Sequence, residues 1–391
     1  MDKPVIKVIT GMRRCGKSAL LELIREELIS RGVEEKNIIS FNFESLRYEA
    51  LKDYRALYTE IARQVQNTCG RVYLLLDEIQ EVTSWEQVIN SIRVDFDSDI
   101  YITGSNARLL SGELATLLAG RYVEIRVYPL DFQEYLDFAA SDPQESSLSR
   151  QEHFANFLHF GGLPGIHQMK WSEDRLMQYL HDIYNSVLLK DVIARNKIRD
   201  TALLEGIVLY LMDNIGNTFS AKTISDFLKS QGRKLSTETV YNYLKALENA
   251  FLIHKAERFD IKGKRILETR EKYYLSDLGL RHAVIGYRDN DISGILENTI
   301  YLELKRRGWS VCIGKQDMKE IDFVASRADE RLYIQVCYVL TPENADREFG
   351  PLEAIPDNYE KLVLSTDTLL KVNRGGIRQK NIVDFLLETS Y

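Results

Sequence analysis

Eight residues close to the N-terminus, GMRRCGKS (Gly11–Ser18), have the types and spacing of a phosphate cradle, G-x-x-x-x-G-K-[ST]. Gly11 and Gly16 permit a tight backbone path on which the N–H groups of Met12, Arg13, Arg14 and Cys15, and of Ala19 just beyond, converge on phosphate oxygens. Lys17 is placed to reach the β- and γ-phosphates, and Ser18 offers a hydroxyl to Mg²⁺. A second set of groups follows in RVYLLLDEIQEV, where the apolar run Val72–Leu76 ends in Asp77 and Glu78. Two carboxylates at the end of a buried strand are costly as packing, but they suit a site that holds a metal ion and a phosphate. There Asp77 would hold Mg²⁺ through its water shell and Glu78 would polarise an attacking water.

Two further segments carry weaker signals. DIYITGSNARLLSG (residues 99–112) ends its apolar run in Thr103, Ser105 and Asn106, which suit contact with a γ-phosphate but also ordinary turn chemistry. Arg121 follows a glycine at the start of the run RYVEIRV. Two readings fit it equally: an arginine completing a neighbouring subunit's site, or a solvated strand-end cation.

These groups need elements to position them. PVIKVIT (residues 4–10) is a β-branched run of the kind that opens a parallel sheet, and SALLELIREELISRG after it is helical, its N-terminus aimed at the anion. From about Thr201 the pattern turns to short helices. A Ser220-capped helix ends at Gly232, and a second carries Val240, Tyr243, Leu244, Leu247 and Phe251 on one stripe. Residues 254–277 then alternate like a hairpin, and together these predict a winged helix-turn-helix. Its outer helix face shows Glu238, Tyr241, Asn242 and Lys245, and its hairpin tip Lys262, Lys264 and Arg265. Residues 201–280 hold 12 Lys/Arg against 10 Asp/Glu, a modest footprint for DNA.

In this order and spacing, GMRRCGKS, LLLDEIQEV, ITGSNARLL and LAGRYVEIRVYPLDFQEYL resemble the predicted AAA+ ATPases of bacteria and archaea, over essentially the whole chain. The similar family members carry a C-terminal domain of unknown function related to restriction-type nucleases. The resemblance implies that Asn106 or Ser105 acts as sensor 1 and that Arg121 is an arginine finger. It also likens FGGLPGIHQM (residues 160–169) to a motif packed against adenine, with Pro164 near the base; read on its own, the segment is a sharp turn between helices. Residues 294–340 read as a helix and three strands. With Glu297 on the helix and Asp322 opening IDFVAS, the arrangement resembles a PD-(D/E)XK nuclease core. The next strand departs from that pattern, since Gln335 and Cys337 stand where Glu-x-Lys belongs. Glutamine has no anionic oxygen for a hard cation, so the domain reads as a degenerate shell.

Composition sets the outer bounds. The 391 residues are 45% apolar and 28% charged, with net charge −7, which argues against a surface blanketed for nucleic acid. Cys15, Cys69, Cys312 and Cys337 form no CxxC pair, which fits reduced thiols and a cytoplasmic address. No apolar run is long enough to span a bilayer. The expected fold is multidomain α/β: an AAA+ P-loop core at 1–140, a helical lid at 141–200, a winged helix at 201–285 and a restriction-endonuclease-like domain at 286–391. The expected activity is hydrolysis of ATP to ADP and phosphate with ATP and Mg²⁺ bound, in a homo-oligomer acting on an unknown protein client. Alternatives are a nucleotide-switched DNA-binding protein of defence or mobile elements, and an ATP-dependent nuclease.

Overall fold

Neighbouring residues along the buried N-terminal strands feed two different cores, which dictates helices on both faces of the sheet. Leu74, Leu76, Ile100 and Ile102 point into one core with Leu57, Ile61, Val88, Ile89 and Ile92, whereas Leu75 and Tyr101 join Ile9 and Leu21 in another. In the computed structural model, which describes all residues except 4, 111–117, 119, 143–146, 169–171, 234, 369–371 and 389–391, these residues lie on β1 (Ile6–Thr10), β3 (Val72–Asp77), β4 (Ser98–Gly104), α1 (Lys17–Ser30), α2 (Tyr54–Val65) and α3 (Trp85–Asp95). With β2 (Ile38–Asn42) and β5 (Tyr122–Arg126) the strands form one parallel sheet in the order β2-β3-β4-β1-β5. Ser111 and Gly112, Leu117 and Ala119 before Arg121, and Met169 and Trp171 of the expected lid lie outside the described residues.

Two compact units emerge. The first is Met1–Tyr128 with Asn249–Phe251, and the second is Pro129–Glu248 with Leu252–Tyr391. The helix α4 (Phe132–Ala139), capped by Asp131 and Glu134, therefore falls in the second unit, although the expected core runs to residue 140.

The second unit continues through α5 (Arg150–Phe160), α6 (Glu173–Ser186) with its π-helical extension Val187–Ala194, α7 (Thr201–Asp213), α8 (Ala221–Ser230) and α9 (Thr237–Asn249). Ser220 caps α8 by accepting from Thr223 N, as the sequence predicts, and Ser236 accepts from Thr239 N beside α9. Val240, Leu244 and Leu247 are buried, while Glu238, Tyr241, Asn242 and Lys245 are exposed. The hairpin β6 (Ile253–Asp260) and β7 (Arg265–Leu275) is not a free wing. β6 also pairs with β8 (Ser310–Gln316), so the hairpin forms one edge of a mixed sheet ordered β12-β13-β11-β10-β9-β8-β6-β7. The remaining strands are β9 (Lys319–Arg327), β10 (Glu330–Val336), β11 (Glu360–Ser365), β12 (Asn373–Arg374) and β13 (Ile377–Asn381). The helices α10 (Leu278–Ile285), α11 (Ile292–Arg306), α12 (Ala345–Glu353) and α13 (Ile382–Leu387) complete the unit. Residues 286–391 thus share a sheet with the hairpin that precedes them.

Asp277, the N-cap of α10, ties this unit together. Its carboxylate accepts from Leu280 N at 3.2 Å and, across 115 residues, from Gly162 N at 2.8 Å. Gly161 explains its own residue type, since its φ is 77° and a Cβ there would collide with the Asp277 carboxylate. Burial pushes the Asp277 carboxyl up to about 6, against the backbone donors that favour its charged form. A folded-state value above the ordinary one means the stability contribution is complete at low pH and is lost as pH rises through about 6. Asp277→Asn keeps an acceptor and removes the titration, so the urea midpoint should fall less between pH 4 and 7 than in the parent. Asp277→Ala strands two buried N–H groups and should cost about 1–3 kcal/mol in the same denaturation series.

Candidate functional site

The cradle forms where β1 stops. Thr10 ends the strand, and the chain turns through Gly11 (φ 156°), Arg14 (φ 70°) and Gly16 (φ 107°) before α1 begins at Lys17. Three positive φ values in six residues bend the backbone so that amides face one space, and α1 adds its N-terminal N–H groups with no acidic residue in its first turn. Gly11 is required by contact as well as by φ, for a Cβ there would collide with Val127 O. Met12 and Cys15 are buried, and burial raises the Cys15 thiol, which lies 3.4 Å from Val127 O. Arg13 pairs with Glu44 at 2.7 Å, and Arg14, Ser18 and Ala19 are exposed.

Lys17 is buried. Its ammonium donates to Gly11 O at 3.1 Å and Met12 O at 3.0 Å, and stands 3.8 Å from Glu78 Oε1. The parallel register brings the tips of β3 and β4 beside it. Thr103 Oγ1 donates to Asp77 Oδ1 at 2.5 Å and accepts from Glu78 N at 2.9 Å. Asn42, at the end of β2, donates to Asp77 Oδ2 at 3.0 Å. Glu78 has left-handed φ and ψ (53°, 48°), an uncommon backbone for a glutamate that turns its side chain back toward the loop. Ser105 donates to Glu78 Oε2 at 3.2 Å, and Gln80 donates to the same oxygen. Asn106 is buried directly after this strand tip.

The structure thus brings Lys17, Asp77, Glu78, Thr103, Ser105 and Asn106 to one end of one sheet. Arg121 is elsewhere. Its carbonyl accepts from Ile6 N, and the pairing runs from Ile6↔Tyr122 to Thr10↔Arg126, so Arg121 stands at the far end of the strands from the cradle. Five residues of strand place that distance at about 16 Å. It is exposed, with Nη1 3.4 Å from Asn90 Oδ1. Pro164 opens a short 3₁₀ turn, Pro164–His167, in the second unit. Asn42 and Gln80 escaped sequence reasoning. The available signal was an amide at the end of β2 and another two residues beyond the acidic pair.

A magnesium nucleotide fits this donor set. The loop turns through Gly11, Arg14 and Gly16 straight into the N-terminus of α1, Ser18 is open to solvent at the first helical turn, and Asp77 presents a fixed carboxylate. The C-terminal carboxylates do not form such a site. Around Glu297 and Asp322 the described residues supply no group of three or more His, Cys, Asp or Glu suited to a metal, and a lysine, Lys272, stands among them.

An AAA domain family matches residues 3–136, and a domain of unknown function matches residues 151–291. An uncharacterized protein of Haemophilus influenzae is 41% identical over 387 residues, covering 99% of this chain and 95% of its own length. An uncharacterized protein of Methanocaldococcus jannaschii is 32% identical over 367 residues, covering 90% and 79%. Among solved structures, the Walker-type ATPase of Pyrococcus abyssi aligns with a TM-score of 0.52 at 15% identity, over 73% of this chain and 91% of that one, a likeness of fold. No helix among the described residues is long and apolar enough to cross a membrane. Gly11→Ala should weaken binding of a fluorescent ATP analogue by roughly tenfold or more, read by anisotropy.

Proposed function

We propose, for a chain that belongs to the same family as these Haemophilus influenzae and Methanocaldococcus jannaschii proteins and that carries an AAA domain, that it hydrolyses ATP to drive a conformational or regulatory step through its C-terminal half. One observation carries the reading: a buried lysine on the cradle lies within 3.8 Å of a glutamate whose backbone and neighbouring aspartate are fixed by one threonine hydroxyl.

Each residue then has a task. The backbone N–H groups of Gly11–Ala19 bind phosphate oxygens, and Lys17 exchanges its bonds to Gly11 O and Met12 O for the β- and γ-phosphates. Ser18 and Asp77 would hold Mg²⁺, which when bound neutralises phosphate charge. Glu78 orients and polarises the attacking water, and Ser105 and Gln80 fix the oxygen with which it does so. Asn106 senses the γ-phosphate. Arg121, at the far end of its own sheet, serves a neighbouring protomer in a homo-oligomer. The lid at 141–200, the winged helix at 201–285 and the nuclease-like shell at 286–391 transmit the change to a client.

The DNA-switch reading gains little from the surface. Lys262 is paired with Asp317 at 3.3 Å, Arg265 lies 4.0 Å from Asp260, and Lys245 lies 3.3 Å from Glu248. The cations expected to meet phosphates are thus largely matched. Gln335 and Cys337 likewise speak against cleavage of nucleic acid.

Lys17→Ala should abolish ATP binding by calorimetry. Glu78→Gln should bind ATP like the parent and lose roughly 100-fold or more in phosphate release. Thr103→Val, which keeps shape and removes the hydroxyl, should retain binding and lose about tenfold in turnover. Wild-type phosphate release from Lys17→Ala and Glu78→Gln together overturns the assignment. The same assay with duplex or single-stranded DNA tests the switch reading, which strong stimulation would restore.

A further inference from the structure

The C-terminal carboxylates hold a cation, but the cation is part of the chain. Lys272, on β7, is 2% exposed, and its Nζ lies 2.9 Å from Glu297 Oε2, 2.9 Å from Glu320 Oε1 and 3.9 Å from Asp322 Oδ1. Those three acids come from two elements, α11 and β9, and the hairpin strand β7 brings Lys272 among them. Tyr274, two residues on, donates to Glu297 Oε2 at 3.1 Å, and Val336 N donates to Asp322 Oδ2 at 2.8 Å. The cluster borders a cavity of about 560 Å³ that Gln335 and Glu348 also line, so its acids are within reach of solutes. Burial works against charge on Lys272, but the surrounding carboxylates outweigh it and hold the ammonium protonated; burial raises Glu297 and Asp322, which the ammonium opposes.

Three carboxylates gather within 4 Å of one point; they are not placed to hold a metal ion as they stand, but their oxygens are the donors a hard divalent cation takes. Here that point is filled by an ammonium, which neutralises the acids without recruiting an ion from solution. We propose that Lys272 is a built-in substitute for a divalent metal, that it excludes Mg²⁺ and Mn²⁺ from the Glu297–Glu320–Asp322 cluster, and that removing its charge opens a latent metal site there. The substitution closes the domain to metal-assisted phosphodiester chemistry independently of Gln335 and Cys337. It also gives the pocket a structural task, because the lysine pins the hairpin to α11 and β9. The inference does not depend on the ATPase reading, since it concerns another unit and needs no nucleotide.

The test uses Mn²⁺ as probe on nucleotide-free full-length protein, followed by thermal melting and calorimetry. The parent and Lys272→Arg should show no saturable binding that responds to changes at this cluster. Lys272→Met and Lys272→Gln leave the acids uncompensated, so both should melt lower in EDTA and regain several degrees in Mn²⁺. Each should bind one equivalent, and adding Asp322→Asn should remove that binding, which separates the cluster from any Mn²⁺ at Ser18 and Asp77. Lys272→Gln retains a hydrogen-bonding amide and serves where Lys272→Met does not fold. Saturable Mn²⁺ binding by the parent that Asp322→Asn abolishes would overturn the proposal. So would folded charge-free variants that bind no Mn²⁺.

Discussion

Thr103 Oγ1 is shared between a carboxylate and an amide, and the geometry of the first unit's acids hangs on it. The hydroxyl has one proton to give, and it goes to Asp77; its lone pair takes the N–H of Glu78. That N–H belongs to a residue in the left-handed region, a conformation of about 1–2 kcal/mol for a residue with a Cβ, and the hydrogen bond is what holds it there. Without the hydroxyl, Asp77 would keep only its bond from Asn42, and the peptide after β3 would lose the side-chain acceptor of its N–H. The parallel register of β3 on β4, set by alternating apolar residues buried on both faces, puts the hydroxyl in place. Core packing and site chemistry are therefore one problem in this unit.

The two units deal with buried acids in opposite ways. In the first, Lys17 stands 3.8 Å from Glu78 and directs its hydrogen bonds to carbonyls of its own loop. Those carbonyls are weak competitors for an ammonium compared with a phosphate, so the arrangement is exchangeable. In the second, Lys272 is in direct contact with two carboxylates and near a third, and its stem belongs to a sheet edge rather than to a loop. Breaking such a buried pair leaves uncompensated charge, whereas re-aiming Lys17 trades one set of acceptors for a better one. The same side chain is poised in one place and locked in the other.

Features local in sequence were legible, and features assembled over distance were not. The cradle, the acidic strand end and the Ser220 cap each lie within about a dozen residues, so spacing and periodicity alone place them. Thr103 was visible as one of three polar residues at a strand tip, but which acid atoms each of them reaches depends on the β3–β4 register. Asn42 reaches Asp77 across 35 residues and Lys272 reaches Glu297 across 25, in elements whose adjacency no local pattern encodes. The hairpin shows why organisation is harder than secondary structure. Its alternation was readable, yet its pairing with β8 makes it part of a larger sheet. Exposed backbone at the edge of a hairpin is satisfied by whichever strand folds beside it, and that partner lies some 50 residues on.

A parallel sheet has a chemical polarity, and the position of Arg121 is one of its consequences. Strand C-termini gather the loop, the acids and Thr103; strand N-termini gather groups such as the buried Lys7–Asp99 pair, which braces the sheet and meets no phosphate. Arg121 belongs to the second end, about 16 Å from the cradle of its own chain. No side chain spans that gap, since an extended arginine reaches less than half of it. An exposed arginine held loosely, by an amide oxygen at 3.4 Å, is free to meet another surface. In the proposed mechanism its task is therefore intermolecular by geometry. If Arg121 serves a neighbouring protomer as proposed, coupling hydrolysis to assembly needs no dedicated switch in the chain, because Arg121 and the cradle sit at opposite ends of one sheet.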